Sequence, residues 1–212
     1  MIKCFNFDND FNEFSANTYV VGEKSKSCVV IDLGSTSKKI INFIKENFIE
    51  VKAILLTHAH FDHIRGINKF LEEFKDVPVY IDINDYELLK DSRLNCSLLA
   101  NEPLLVRSNN IITFKNKDIL NFDDLNVYQV YETPFHTEGS VCFLNAKLNA
   151  LFSGDSLFKG SIGRYDLPTS NKNNIKSSLE IIKEFDENLI VYPGHGEITT
   201  IKEELKNNYY LQ

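Results

Sequence analysis

The stretch Thr57-His58-Ala59-His60-Phe61-Asp62-His63 decides the interpretation of this sequence. It concentrates three imidazoles and a carboxylate, although solvated loops have no reason to crowd potential cations and histidine is an uncommon core residue. Neutral imidazole and carboxylate are ligands that suit zinc, manganese or iron. If the loop is locally extended, His58 and His60 point the same way and can share one ion, while Asp62 and His63 can face another. The stretch therefore predicts a two-metal site.

The residues on either side of this stretch predict a strand and a helix. Ala53-Ile-Leu-Leu-Thr57 is a short apolar run that ends in the polar cluster, which is typical of a buried strand. After the cluster, Ile67, Phe70, Leu71 and Phe74 follow at helical spacing. The histidines are therefore expected on a loop that joins a strand to a helix.

Three further potential ligands follow apolar strands later in the chain. His136 lies in Thr133-Pro-Phe-His-Thr137, His195 in Tyr192-Pro-Gly-His-Gly196, and Asp155 in Phe152-Ser-Gly-Asp155. Taken alone, each histidine is more often an ordinary surface or core residue, and an aspartate in a turn is common. In the company of the cluster at 57–63 they are interpreted as ligands, so that all five histidines are used.

The remaining patterns predict alternating strands and helices of an α/β (α+β) protein. We expect a hairpin over 17–31, a helix capped by Ser37, and a final helix that begins at the capping box Thr200-x-x-Glu203. Asp91 to Arg107 has no clear pattern. Two sheets with helices outside, packed as one domain over 1–212, are the natural arrangement. Further strands are expected at 77–81, 111–114, 125–131, 141–144, 150–152 and 189–192, with helices over 40–48, 84–90, 175–185 and 201–210.

Composition excludes several classes of protein. The chain has 212 residues and a net charge of −7, whereas nucleic-acid binders cluster Lys and Arg. It has no apolar run long enough to span a membrane, and Met1 to Phe14 lacks the basic start and apolar run of a secretion signal. The four cysteines form no CxxC pair and are expected to be reduced, mostly buried thiols. A cytoplasmic protein is expected.

The motifs, in order, resemble those of the metallo-β-lactamase-fold hydrolases. The similarity is carried by the segments THAHFDHIRG at 57–66, TPFHT at 133–137, SGD at 153–155 and PGHG at 193–196, and it extends to the aspartate-glycine turn at 30–34. This resemblance implies a four-layer αββα sandwich with the metal ions at one edge of the paired sheets. Phe135 stands where the family often has glycine, a difference that affects the shape of the pocket.

The resemblance also implies a role for each ligand. His58, His60 and His136 would hold one divalent ion, Asp62, His63 and His195 a second, and Asp155 would bridge the two. Zinc is the expected metal, with iron or manganese as alternatives. Asp62 would in addition be the catalytic carboxylate that orients a bridging hydroxide. Asp32 and Thr57 are candidates for fixing the imidazole tautomers.

The segment from Gly154 to Pro168 is similar to that of the short bacterial glyoxalase II-like enzymes, which hydrolyse thioesters. Within it, Arg164 either lies beside the substrate pocket or forms a salt bridge with Asp166. The β-lactamases of this fold generally carry a secretion signal and replace some ligands with cysteine or asparagine, so β-lactam hydrolysis is not expected. Classical glyoxalase II enzymes use a further C-terminal helical region to bind glutathione, and the residues after Ile201 leave little room for one.

The expected activity is hydrolysis of a small thioester, such as S-lactoylglutathione, by a hydroxide that bridges the two metal ions. A small acyl-thiol compound is the expected partner, with no nucleic acid and no membrane, and the oligomeric state, monomer or dimer, is left open. One alternative is an iron-dependent persulfide dioxygenase of the same fold, which uses a single iron ion. An alternative of another class is a non-catalytic metal or redox partner domain.

Overall fold

The computed structural model of the protein describes residues 1–6 and 15–212, so that residues 7–14 of the segment analysed for a secretion signal lie outside the described residues. The described chain forms two six-stranded sheets. The first contains β1 (Ile2–Phe5), β2 (Thr18–Gly22), β3 (Ser27–Ile31), β4 (Glu50–Leu55), β5 (Val79–Asp82) and β6 (Ile111–Phe114). The second contains β7 (Ile119–Asn121), β8 (Val127–Glu132), β9 (Val141–Asn145), β10 (Ala150–Gly154), β11 (Ile190–Pro193) and β12 (Thr199–Thr200).

Both sheets are mixed. In the first, β1, β2 and β3 are antiparallel neighbours, and β3 to β6 run parallel. In the second, only β10 and β11 are parallel. The α-helices are α1 (Lys38–Asn47), α2 (Phe61–Ile64), α3 (Ile67–Glu73), α4 (Ile175–Lys183) and α5 (Ile201–Asn207), and the 3-10 helices are Ile83–Lys90, Ala146–Leu148, Lys172–Asn174 and Tyr209–Leu211.

Three buried clusters show how the layers pack. The middle cluster joins side chains of both sheets, such as Val29 and Leu55 of the first with Tyr128 and Phe152 of the second. The outer face of the first sheet packs against α1 and α3, and the outer face of the second against α4 and α5. The four-layer αββα sandwich is therefore confirmed.

The predicted elements are largely confirmed, with differences at their ends. Ser37 caps α1 by accepting a hydrogen bond from the Lys39 N–H, and Thr200 caps α5 by accepting one from the Glu203 N–H. The strand expected to reach Thr57 ends at Leu55, because the Thr57 N–H donates to the Asp32 carboxylate instead of to a neighbouring strand.

Other boundaries differ for reasons of local geometry. The helix expected at 84–90 is a 3-10 helix, and the final α-helix ends at Asn207, where the next residue caps a 3-10 turn. The edge strands β1, β7 and β12 are missing from the strands predicted above, because strands of four, three and two residues are too short for a period-two pattern to stand out. The segment 91–107 forms turns without helix or strand.

The chain turns repeatedly at one edge of the paired sheets. β3 ends just before Asp32, β4 before His58, and β5 before Asp85. β10 ends just before Asp155, and β11 ends before His195. Loops that follow the carboxyl ends of strands in α/β sheets commonly form binding sites. This edge therefore gathers the predicted ligands.

The helices and the cysteines have two further properties. Among the described residues, no helix is both long and apolar enough to cross a membrane. Cys28, Cys96 and Cys142 are buried thiols and Cys4 is half-buried, in agreement with the expected usage of cysteine.

Candidate metal centre

The structure brings all seven predicted ligands together. Their nitrogen and oxygen atoms form three triplets, within each of which all atoms lie within 4.8 Å of one another. The triplets are His58, His60 and His136; His58, His63 and Asp155; and Asp62, His63 and His195. Asp155 is central, because its carboxylate oxygens lie 3.2 Å from His63 Nε2, 3.3 Å from His136 Nε2 and 3.8 Å from His195 Nε2.

Three buried atoms at this point lack a hydrogen-bond partner among the described residues. They are His58 Nε2, His63 Nε2 and Asp155 Oδ1, the last two lying 3.2 Å apart without forming a hydrogen bond. Buried polar atoms are nearly always paired, because an unpaired one forfeits its hydration. A divalent cation placed among imidazole nitrogens and a carboxylate would satisfy all three. The donor set therefore fits a metal ion, in agreement with the chemistry expected from the sequence.

Thr57 and Asp32 determine which nitrogen of His58 faces the centre. The Thr57 hydroxyl donates its only proton to Asp32 Oδ2 at 2.8 Å, so toward His58 Nδ1, at 3.2 Å, it can only accept. Nδ1 of His58 therefore carries the proton, and its Nε2 presents a lone pair to the centre. Asp32 Oδ2 also lies 2.9 Å from His63 Nδ1, which fixes the same orientation in that ring.

The outer nitrogens of two other histidines are also held. His136 Nδ1 lies 2.7 Å from the carbonyl oxygen of Arg164, a pure acceptor, so Nδ1 is protonated and Nε2 is free to bind an ion. His60 Nε2 lies 3.2 Å from the Thr169 hydroxyl, while its Nδ1 is 2.8 Å from His136 Nε2. Each ring thus turns one nitrogen toward the centre and the other toward a fixed protein group.

Burial and neighbouring charges set the protonation of these groups. Burial lowers the pKa of His58 well below its ordinary value, and burial together with His136 lowers the pKa of His60 to about 3. Both rings are therefore neutral, which is the form that binds metal. Burial opposes charge on Asp155, but His195 and His63 outweigh it and hold the pKa of this carboxyl well below its ordinary value. Asp155 is therefore an anion.

Asp85 links the two loops that carry the histidines of the first triplet. Its buried carboxylate accepts hydrogen bonds from the Ala59 N–H at 3.0 Å, the Thr137 hydroxyl at 2.8 Å and the Gly139 N–H at 2.8 Å. Ala59 lies between His58 and His60 in the chain. Thr137 and Gly139 follow His136 by one and three positions. Asp85 therefore sets the spacing of these loops.

Two glycines are required where backbone passes close to the centre. Gly154 has a φ of +50°, and a Cβ there would lie 2.4 Å from Thr57 Oγ1. A Cβ on Gly194 would lie 2.3 Å from Asp155 Oδ1 and 2.8 Å from His63 Cε1. Glycine at both positions lets the chain approach the ligands without displacing them.

A cavity of about 610 Å³ opens onto the ligands. Besides His60, Asp62, His136, Asp155 and His195 it is lined by Arg164 and by Phe61, Cys96, Leu99, Ala100, Phe158 and Leu167. Arg164 lines this cavity and also pairs with Asp166. Phe135, by contrast, is fully buried in the core beneath α4 and does not line the cavity.

Three contributors to this site could not be found from the sequence. Asp85 carries no motif, and only the fold brings it to both histidine loops. Thr169 contacts His60 from more than one hundred residues away in the chain. The contribution of Arg164 to His136 comes from a backbone carbonyl, which no residue type signals. By contrast, Asp32 and Thr57 were named as candidates for orienting the histidines, and their contacts with His58 and His63 support that role.

Comparison with known proteins agrees with this geometry. Residues 11–195 match the family model described as the metallo-beta-lactamase superfamily. The probable metallo-hydrolase YqgX of Bacillus subtilis is 34% identical over 199 residues, covering 92% of each chain. The hydroxyacylglutathione hydrolase GloC of Haemophilus influenzae is 28% identical over 206 residues, covering 93% of each chain.

Two solved structures are similar to the chain in both fold and sequence. The B3 metallo-beta-lactamase BLEG-1 superposes with a TM-score of 0.88 and 33% identity, covering 100% of this chain and 99% of the other. TTHA1623 in a di-iron-bound form superposes with a TM-score of 0.80 and 32% identity, covering 92% and 95%. Together with the family match, these relatives confirm the resemblance stated from the motifs. The chain belongs to the metallo-beta-lactamase superfamily.

Proposed function

We propose that the chain is a thioester hydrolase that works with two divalent metal ions, assigned as zinc. The observation that carries the proposal is the set of three unpaired buried atoms, on His58, His63 and Asp155, of which the Asp155 carboxylate lines a cavity. Among the relatives, GloC is described as a hydroxyacylglutathione hydrolase, which supports a thioester as the substrate.

We propose the same two sets of ligands that the family resemblance implies. His58, His60 and His136 would hold one ion, Asp62, His63 and His195 the other, and Asp155 would lie between them. The TTHA1623 structure, which contains two iron ions, supports a dinuclear site and keeps iron as an alternative to zinc. When bound, such ions lower the pKa of water and polarise a carbonyl group.

The residues of the chain supply positioning around that chemistry. Asp62 lines the cavity and, in the proposed mechanism, orients the attacking water by accepting a hydrogen bond from it. The rigid contacts of His58 with Thr57 and of His136 with the Arg164 carbonyl keep both rings from turning during the reaction. A thiol leaving group with a pKa near 8.5 departs as the thiolate, so the chain needs no general acid.

β-Lactam hydrolysis is a second candidate function. The ligand identities argue against it, whereas the similarity to BLEG-1, a B3 metallo-beta-lactamase, favours it. The two activities are distinguished by assaying the metal-loaded chain with S-lactoylglutathione and with a chromogenic cephalosporin in parallel.

The test of the proposal is a panel of substrates assayed before and after chelation and with zinc restored. We expect thioester hydrolysis that disappears on chelation, returns with zinc and is abolished in His60→Ala. Oxygen uptake with a glutathione persulfide, without thioester hydrolysis, would instead identify a persulfide dioxygenase. A metal-replete chain inactive toward all of these substrates would identify a non-catalytic metal-binding domain.

A further inference from the structure

Most of the accessible surface of the cavity wall is apolar. Of its twelve lining residues, five are the apolar residues Phe61, Leu99, Ala100, Phe158 and Leu167. Leu99 stands at the opening, with 68% of its surface exposed. An exposed leucine beside a cavity offers apolar surface that a ligand can cover. The volume of about 610 Å³ lies within the range of small-molecule sites.

Arg164 is the single lysine or arginine that lines the cavity in the described part of the chain, and its charge is already paired. Its Nε and Nη2 atoms donate to the two carboxylate oxygens of Asp166 at 2.7 and 2.9 Å. This bidentate pair occupies the Nε–Nη2 edge of the guanidinium and offsets its charge with that of a neighbouring carboxylate. Within residues 1–6 and 15–212, the cavity therefore presents no lysine or arginine that lacks a carboxylate partner.

Two further cations lie near lining residues in the sequence, and each of them pairs with a carboxylate. Lys159, next to Phe158, donates to Glu197. Arg93, which precedes Cys96, pairs with Asp91 at 2.6 Å. The whole chain has a net charge of −7, so apart from the proposed metal ions it offers no excess of positive charge that would attract an anionic thiol carrier.

We propose that this cavity selects an uncharged, apolar acyl thioester over one carried by glutathione. The inference rests on the proposed thioesterase activity and specifies its substrate class. Glutathione carries two carboxylates away from its sulfur atom, and neither would find an unpaired lysine or arginine on this wall. Covering carbon with the methylene groups of an acyl chain is favourable, whereas burying an unpaired carboxylate is not.

The direct test compares thioesters with the same acyl group on two thiols. Acetyl, butyryl and hexanoyl thioesters of N-acetylcysteamine are uncharged, and the same acyl groups on glutathione provide the anionic series. For the zinc-loaded chain, we expect kcat/KM to be about tenfold higher for the uncharged carrier and to rise about tenfold or more from acetyl to hexanoyl. Equal or higher kcat/KM for the glutathione series would overturn the proposal.

A charge introduced at the cavity opening tests the same cause. Leu99→Lys should shift the ratio of the two kcat/KM values about two- to fivefold toward glutathione, as expected for an exposed ion pair. Ile49→Lys is the matched control, because Ile49 is 82% exposed and precedes β4 at the end opposite the histidines. An unchanged ratio in Leu99→Lys, or an equal shift in the control, would contradict the assignment of this wall.

The outcomes separate the two levels of the proposal. If no thioester of either series is hydrolysed by the metal-loaded chain, the proposed function fails and the substrate class fails with it. If both series are hydrolysed with glutathione preferred, the function stands and the inference about the carrier is wrong.

Discussion

Replacing Asp85 with asparagine should weaken metal binding although Asp85 touches no metal ligand side chain. Oδ2 of Asp85 accepts from the Ala59 N–H and the Thr137 hydroxyl, and Oδ1 accepts from the Gly139 N–H. An asparagine amide has one oxygen, so in either orientation its NH₂ group must face a backbone N–H. At least one buried donor then loses its partner, at a cost of about 1–3 kcal/mol in the free energy of unfolding.

The same change should loosen the two histidine loops. Because Ala59 and Gly139 belong to different loops, losing either contact lets His58 and His60 move relative to His136. We expect zinc affinity and kcat to fall about 10- to 100-fold, the effect usual for groups that orient ligands. Unfolding of the metal-free protein by urea measures stability, and competition with a chromogenic zinc chelator measures affinity.

Asp82→Asn is the matched control for Asp85→Asn. It removes a buried carboxylate three positions earlier in the chain. Among the described residues, that carboxylate accepts hydrogen bonds only from Asn84, whose backbone and side-chain nitrogens both lie 2.9 Å away. Zinc affinity should therefore stay within about twofold of the unchanged chain, since only groups that orient the ligands carry the larger effect. Unchanged affinity in Asp85→Asn, or an equal loss in both variants, would refute the role of Asp85.

Two further outcomes follow from other contacts. Gly194→Ala would place a Cβ 2.3 Å from Asp155 Oδ1. We expect the metal content of this variant, measured by elemental analysis, to fall below half of that of the unchanged chain while its far-UV circular dichroism spectrum stays the same. Full metal loading of the variant would contradict this expectation. Burial raises the pKa of Asp82 from an ordinary 3.8 to about 7. The native carboxyl thus keeps its proton where the unfolded chain has lost it, so its contribution to stability declines as the pH rises from about 4 to about 7. At pH 8 the free energy of unfolding of Asp82→Asn should therefore exceed that of the unchanged chain by a few kcal/mol, since one pKa unit corresponds to about 1.4 kcal/mol. Near pH 4 the two free energies should match. Equal stability at pH 8 would refute the raised pKa.

The cluster of candidate ligands could be predicted because its residues lie in short, ordered motifs. His58, His60, Asp62 and His63 are consecutive or nearly so, and the loop that carries them follows a clearly apolar strand. Asp155 and His195 likewise follow strands that the apolar pattern reveals. Local sequence therefore reports both the chemistry and the edge of the sheet where it gathers.

The groups around the ligands could not be predicted, because tertiary packing brings them there. Asp85 and Thr169 lie in segments without a chemical motif, and Arg164 acts on His136 through its carbonyl group. Leu99 belongs to the turn-rich segment 91–107, where apolar residues show no period, so its place at the cavity opening depends on the fold. The proposed substrate selectivity is thus less visible in the sequence than the proposed metal site.

The number of divalent ions bound per chain tests the central claim most directly. The protein is purified without chelator, saturated with zinc, freed of excess metal by gel filtration and analysed for metal and protein concentration. The arrangement of six candidate ligands around a seventh, Asp155, predicts two ions per chain, falling to one or none in Asp155→Ala. A stable value of one ion per chain at saturation, unchanged in Asp155→Ala, would contradict the dinuclear site.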